Sequence, residues 1–476
     1  MTLPKSIFRE YDIRGSADSD LTDETVEAIG KAFGTWLFDR SVFTAVVGGD
    51  VRLSTERIRA SLIRGLLSVG LSVTDVGVVT TPMLYWSMYH LDMDGGVMVT
   101  GSHNPPDMNG MKLAFGSRSE GEQSEKFTKA TLWGDDVQSI RKIARRGAFA
   151  VPLCECRVER DGGIPQAYLQ MLLSKIKLKP GRKKLRVVSD TGNGTAGPWA
   201  RIFFESLGCE CISMYEAPDG RFPNHHPDPQ KRENLTALAA MVKKTGADVG
   251  FAFDGDADRI GVVDELGNVI FGDRLMALYW REIMRRFPRS RAIVEMKCSM
   301  ALPEEIQRLG GTVEWCKSGH SLIKAKMREM NAPFAGELSG HMFFADEYFG
   351  FDDSFYAAGR LLRIMSIVPG ATLSGLMAGI PDYPATEEVR VPCPDSEKFA
   401  VSDKIRDRAV ASHKCLTVDG VRIIYPNGWG LIRASNTQPV LTARCEGRDK
   451  SALDFIMKDV KARIMAEGLP DFEWTF

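Results

Sequence analysis

The chain has 476 residues, 44% hydrophobic and 26% charged, too long for one core and ordinary for a globular protein of about three or four domains. Its 61 basic and 62 acidic residues leave a formal charge of −1, which gives no support for a nucleic-acid or membrane-surface partner. No apolar run reaches the roughly 18 residues of a membrane helix, and "MTLPKSIFREYDIRG" at the N-terminus does not read as a secretory signal. Nine scattered cysteines lack zinc spacing and read as reduced thiols of a cytoplasmic protein.

In chain order, "FTAVVGGD" predicts a strand, "TERIRASLIRGLLSVG" a helix with a glycine stop, and "LSVTDVGVV" a second strand. After a further helical segment comes the strand "GGVMVTGS". The alternation restarts at "KKLRVVSD", with helix "GPWARIFFESLG" and strand "ADVGFAFD". It restarts again with helix "GDRLMALYWREIMRRF", strand "RAIVEMK", helix "MALPEEIQRLG" and strand "GTVEWCKSG". Such order predicts α/β units with largely parallel sheets. The last hundred residues instead suggest antiparallel strands with helices, an α+β end domain. The expected boundaries are 1–153, 154–268, 269–382 and 383–476.

"VMVTGSHNPPDMNGMK" places Ser102 in a polar cluster directly after an apolar strand, with Lys112 ten residues on. A polar turn closing a strand accounts for the stretch; so does a serine presented as a nucleophile, which needs an activating partner. "GNGTAG", Gly192 to Gly197, follows a strand and opens a helix, with Glu216 near the position of a ribose-binding acid. That matches a dinucleotide fingerprint, and an oxidoreductase is the rival from another class; a helix packed tightly on a sheet produces the same glycine-rich turn without any cofactor. "FDGDADR" sets Asp254, Asp256 and Asp258 at alternate positions before Arg259. On an extended segment the three carboxylates share a face, and a hard divalent cation resolves their repulsion; oxygen ligands with open positions for a phosphate suit Mg²⁺. An EF-hand is the competing reading, but Arg259 stands where that loop needs glycine. "RASNTQP" offers a guanidinium fork, hydroxyls and an amide for a phosphate dianion. In "GELSGH", Glu337, Ser339 and His341 alternate and would face one way on an extended loop; His320 and Lys297 lie in "KSGHSLIK" and "VEMKC".

Taken together, "EYDIRG", "TGSHNPPDMNGMK", "DTGNGTAG", "FPNHHPDP", "FDGDADR", "KSGHSLIK", "GELSGHMFF", "FGFDDSFYAAGRLL" and "DGVRIIYPNGWGLIRASNTQP" resemble the α-D-phosphohexomutase superfamily, in the family's order and over essentially the whole chain. Within it the chain is similar to the bacterial phosphomannomutase/phosphoglucomutase group. The resemblance implies three similar α/β domains with mixed, largely parallel sheets and a C-terminal α+β domain, arranged around a central cleft. It implies that Ser102 carries a phosphoryl group and that Ser102, Asp254, Asp256 and Asp258 ligate Mg²⁺. Lys112, Arg14, His320 and His341 are the implied proton-transfer or charge-stabilising residues. Glu337, Ser339 and Lys297 would hold the sugar, and Arg433, Ser435, Asn436 and Thr437 its phosphate, with Tyr11, His103 and Arg259 supporting. The implied activity interconverts hexose 1- and 6-phosphates of mannose or glucose through a hexose 1,6-bisphosphate, by a monomer or homodimer. "GELSGH" favours that group over phosphoglucosamine mutases, whose expected loop is "GEQSGH". Two positions depart from the family's pattern: Ala257 replaces a common glycine, and Gln438 stands where glutamate or threonine is common.

Overall fold

Apolar runs bounded by turn residues become buried strands, and the amphipathic stretches between them become crossover helices. The computed structural model describes residues 4–116, 129–152, 155–179, 184–367, 370–436 and 438–476. The chain forms two compact units, Met1–Leu275 with Ser339–Ala378, and Met276–Leu338 with Gly379–Phe476.

In the first unit, β1 (Ile13–Ser16), β2 (Thr44–Gly49), β3 (Ser72–Val78), β4 (Gly95–Val99), β5 (Met108–Gly116), β6 (Lys129–Thr131) and β7 (Val158–Arg160) share a mixed sheet. Its order is β1-β5-β4-β2-β3-β7, with β6 on β5. Strands β4, β2 and β3 run parallel, which requires crossovers; the helices Thr55–Leu67 and Thr81–His90 supply them. Val46, Val47, Val97 and Val99 are all buried, as expected of central parallel strands covered on both faces. Strand β5 then returns antiparallel to both β4 and β1.

A second mixed sheet comprises β8 (Arg186–Asp190), β9 (Glu210–Met214), β10 (Val249–Phe253), β11 (Ile260–Asp264) and β12 (Val269–Ile270), in the order β12-β11-β10-β8-β9. Strands β10, β8 and β9 are parallel, and β11 folds back antiparallel on β10. The turn between β10 and β11 is the acidic loop.

The helix Ser354–Ile367 is anchored beneath that loop, where the Ser354 hydroxyl donates to the Ala257 carbonyl at 2.5 Å. Its N-terminus is held by buried Asp353, which accepts from the Tyr356 amide at 2.8 Å and from the Tyr168 and Tyr348 hydroxyls, each at 2.6 Å. Burial pushes the Asp353 carboxyl up to about 6 against these hydrogen bonds. Folding therefore favours the protonated form, and this stabilisation is present at low pH and lost as pH rises through 6. A carboxyl held there, against an ordinary value near 4, corresponds to about 3 kcal/mol in all. Between pH 4.5 and 7.5, wild type is expected to lose about 2 kcal/mol relative to Asp353→Asn. Urea titrations at both pH values check this; an unchanged difference would sink it.

In the second unit, β13 (Arg291–Glu295) and β14 (Thr312–Cys316) are parallel around the helix Ala301–Arg308. The end of the chain forms an antiparallel sheet in the order Val389–Pro392, Val440–Gly447, Gly428–Ala434, Val421–Tyr425 and Lys414–Leu416. Val391, Ile423, Ile432 and Leu441 from these strands pack with Ile456 and Val460 of the helix Lys450–Met465. The α/β units and the α+β end expected from the alternation are both present. Among the described residues no helix is long and apolar enough to cross a membrane.

Candidate active site

Ser102 sits at the end of β4, where the chain turns and returns as β5, so that Lys112 pairs in register with Met98. The ten-residue spacing takes the chain from the connection that follows Val99 into β5, which begins at Met108. Ser102 is 1% exposed and adopts φ +50°, a left-handed conformation that costs a residue with a Cβ about 1–2 kcal/mol. Its hydroxyl donates to Asp254 Oδ2 at 2.9 Å and lies 3.2 Å from His103 Nδ1. Burial, reinforced by the charges of Arg259 and Arg14, holds the His103 imidazole well below its usual range, so the ring is neutral near pH 7. Arg14, on β1, donates to Asp12 at 2.5 Å. Tyr11 is half-buried on the bend just before that strand.

Asp254, Asp256 and Asp258 are each fully buried, and one oxygen from each lies within 4.8 Å of the other two. They converge through a tight turn rather than the strand alternation expected from the sequence. Ala257 takes φ +59°, and Asp254 Oδ1 accepts from the Asp258 and Arg259 amides at 3.1 and 3.2 Å. The Ala257 methyl is thus accommodated, in a conformation that glycine would adopt without strain. Lys112 Nζ donates to Asp256 Oδ2 at 2.7 Å and to Asp258 Oδ2. Burial opposes the Lys112 charge, but Asp256 and Asp258 outweigh it and raise its pKa. Burial and its two neighbouring carboxylates push Asp254 well above the usual range. Asp258 moves the other way, because Lys112, His341 and Arg259 more than offset its burial.

Asp256 Oδ2 also accepts from Thr81 and Thr100 at 2.6 and 3.1 Å, whereas Oδ1 is buried with no hydrogen-bond partner. A buried carboxylate oxygen without a donor, beside two further carboxylates, fits a hard divalent cation. Asp258 belongs to a second cluster as well, with His341 and Asp352. His341 Nε2 lies 3.2 Å from both Asp258 Oδ1 and Arg259 Nε, and Nδ1 lies 3.2 Å from Ser339 Oγ. Asp352 lies in "FGFDDSFYAAGRLL", a stretch that carries the resemblance but from which no site residue is assigned by sequence.

The remaining site residues belong to the second unit. Lys297 Nζ is 3.2 Å from Glu295 and 3.8 Å from Glu388; these carboxylates outweigh burial and raise its pKa. Glu337 accepts from the Gly319 amide at 2.8 Å, immediately before buried His320 opens the helix His320–Met330. "GELSGH" is a turn rather than an extended strip: Glu337 falls in the second unit, and Ser339 and His341 fall in the first. Arg433 lies 2.8 Å from Asp419. Ser435 Oγ accepts from the Gln438 amide at 3.1 Å, and the Gln438 carbonyl accepts from Lys398 at 2.9 Å. Gln438 thus orders this loop through its main chain. Asn436 is half-buried on the same turn, and Thr437 lies outside the described residues.

The glycine-rich turn serves close packing, the second of the two readings its spacing allows. A Cβ on Gly197 would lie 2.0 Å from the Glu216 carbonyl oxygen, and Glu216 pairs with Arg201 at 3.2 Å. Thr195 donates through its amide and hydroxyl to the Gly255 carbonyl, at 3.0 and 2.8 Å. The turn packs under the acidic loop and buttresses it.

Comparison with known proteins agrees with this geometry. Models described as phosphoglucomutase/phosphomannomutase alpha/beta/alpha domains I, II and III match residues 5–130, 166–267 and 271–383, and the C-terminal domain model matches 388–468. The chain belongs to the phosphoglucomutase/phosphomannomutase family. Members of this family are isomerase-class phosphotransferases. A phosphomannomutase/phosphoglucomutase of Pseudomonas putida is 41% identical over 475 residues, covering 100% of this chain and 98% of that protein. A phosphoglucomutase of Neisseria gonorrhoeae is 37% identical, covering 99% of each. The crystal structure of a family protein from Burkholderia thailandensis superposes with a TM-score of 0.88 at 37% identity, covering 100% of both chains. Family membership favours the mutase reading over the dinucleotide oxidoreductase.

Proposed function

We propose that the chain interconverts hexose 1-phosphates and hexose 6-phosphates, of mannose and glucose, through a phosphoryl group carried on Ser102. The observation that carries this reading is the strained, buried Ser102 hydroxyl set 2.9 Å from Asp254 at the edge of a three-carboxylate loop. In the first transfer a hydroxyl oxygen of the hexose monophosphate bonds to phosphorus as the Ser102 Oγ–P bond breaks. The proton lost by that hydroxyl ends on Oγ. The resulting 1,6-bisphosphate turns end for end; its other sugar O–P bond breaks as Oγ–P re-forms, and the sugar oxygen takes up the proton. Such transfers depend chiefly on positioning and charge neutralisation. His103 is placed to move the proton at Oγ, while Lys112 and Arg259 bring fixed positive charge to the same loop. His341, between Ser339 and Asp258, is the further candidate on the first unit for moving a proton, and His320 is the candidate on the second; Arg14 adds fixed positive charge on the first unit.

Asp254, Asp256, Asp258 and an oxygen of phosphorylated Ser102 would hold Mg²⁺, which when bound withdraws charge from the phosphoryl group. Glu337, Ser339 and Lys297 are assigned to sugar hydroxyls. Arg433, Ser435, Asn436 and Thr437 are assigned to the phosphate that is not transferring. The chain would act in the cytoplasm, as a monomer or homodimer. The mannose and glucose assignment draws support from the names of the Pseudomonas and Neisseria relatives.

Phosphorus NMR with Mg²⁺ and a trace of glucose 1,6-bisphosphate tests this on mannose, glucose and glucosamine 1-phosphates. Mannose and glucose esters are expected to convert at comparable rates. Conversion of the glucosamine ester alone would keep the chemistry and move the substrate. No conversion of any would defeat the reading.

A further inference from the structure

Phosphoryl transfer, as described, gives no role to Arg52, a buried cation of the first unit. Arg52, from "GGDVRLST", is 3% exposed, and all five of its guanidinium N–H bonds find acceptors. Nε donates to Asp50 Oδ2 at 3.2 Å. Nη1 donates to the Pro105 and Met108 carbonyls at 2.5 and 2.9 Å, and Nη2 to the Ser102 and Asn104 carbonyls at 2.7 and 2.6 Å. Four of the five acceptors are main-chain oxygens of the segment 102–108, the loop that presents Ser102.

The surroundings fix the guanidinium from every side. Asp50 Oδ2 also accepts from the Gly101 amide at 3.1 Å and the Thr100 hydroxyl at 2.8 Å, and Thr100 Oγ1 in turn accepts from the Ser102 amide at 2.8 Å. A Cβ on Gly101 would lie 2.5 Å from Arg52 Cζ, so only glycine lets the loop backbone approach this closely. The Phe222 ring covers Arg52, with Cζ 5.2 Å from its centroid.

We infer that Arg52 is a positioning residue for phosphoryl transfer: it holds the 102–108 loop in the left-handed turn that aims Ser102 Oγ at Asp254 and His103. The inference rests on the reading of Ser102 as the phosphoryl carrier. Arg52 donates to main-chain oxygens and to Asp50, none of them a reacting atom, so it acts through the loop. Only a guanidinium suits the task. A lysine ammonium has three donors radiating from one point and cannot span four carbonyls and a carboxylate. A left-handed serine relaxes unless its surroundings over-determine it, and a misplacement of about 1 Å costs on the order of 100-fold in rate.

The test compares Arg52→Lys and Arg52→Ala with wild type and Ser102→Ala. For both Arg52 variants kcat is expected to fall about 100-fold with KM within about threefold of wild type. Transfer of phosphoryl from glucose 1,6-bisphosphate to Ser102, followed by intact mass, should slow in parallel. Added ethylguanidinium should restore part of the Arg52→Ala rate, an effect that general destabilisation does not produce. Wild-type kcat in folded Arg52→Lys, or a change confined to KM, would overturn the proposal. A crystal structure of Arg52→Lys gives a readout that needs no turnover: Ser102 leaving the left-handed region supports the clamp, and retention near φ +50° overturns it. Absence of turnover and of Ser102 phosphorylation in wild type would instead defeat the functional reading, leaving the Ser102 conformation to decide the role of Arg52.

Discussion

Replacing Ser102 with alanine is expected to lower hexose-phosphate turnover by about four to six orders of magnitude, the scale on which loss of a covalent nucleophile is felt. Folding should survive. Alanine keeps a Cβ in the left-handed turn and removes only the hydroxyl, whose donation to Asp254 at 2.9 Å is worth about 1 kcal/mol net. The 102–108 carbonyls still meet Arg52, and Lys112 still bridges Asp256 and Asp258. Kinetics and melting should therefore separate, with activity lost and the midpoint nearly kept. Incubation with glucose 1,6-bisphosphate should add a phosphoryl group to wild type and none to the variant, as read by intact mass. A variant that keeps its rate within tenfold would mean that another group carries the phosphoryl.

Much of this architecture is legible in the sequence, and the gaps have physical causes. β2 and β4 are buried on both faces and leave continuous apolar runs, so their pattern is plain. β5 is hidden because a charge interrupts it: Lys112 is a buried cation in the middle of the strand, and its polarity breaks the period. The three aspartates stand out as a set, yet alternation does not bring them together; the left-handed turn at Ala257 does. "GNGTAG" registers a close backbone approach without recording what approaches, here the Glu216 carbonyl. Arg52 leaves no side-chain signature at all, because most of its partners are carbonyls that every residue possesses. A sequence shows the donors of such a clamp and conceals its acceptors.

Lys112→Met should produce the second large effect, on stability before activity. The ammonium is 3% exposed and pairs with two fully buried carboxylates. A buried ion pair adds little over an apolar pair, but removing one partner leaves uncompensated charge and costs about 3–5 kcal/mol. Here three carboxylates would remain, with Arg259 Nε no nearer than 4.0 Å to Asp254 or Asp258. The variant without metal is therefore expected to melt well below wild type. A cation that binds the carboxylate loop of the folded state alone stabilises it by mass action, and it relieves more repulsion when the lysine is gone. Mg²⁺ should thus raise the midpoint of Lys112→Met by more than it raises that of wild type, even while turnover stays low for want of the lysine charge. Scanning calorimetry over a Mg²⁺ series, with chelator as the zero point, measures both shifts. Equal shifts in the two proteins would mean that the cation and Lys112 do not share the carboxylates, and would remove Asp256 and Asp258 from the proposed ligand set.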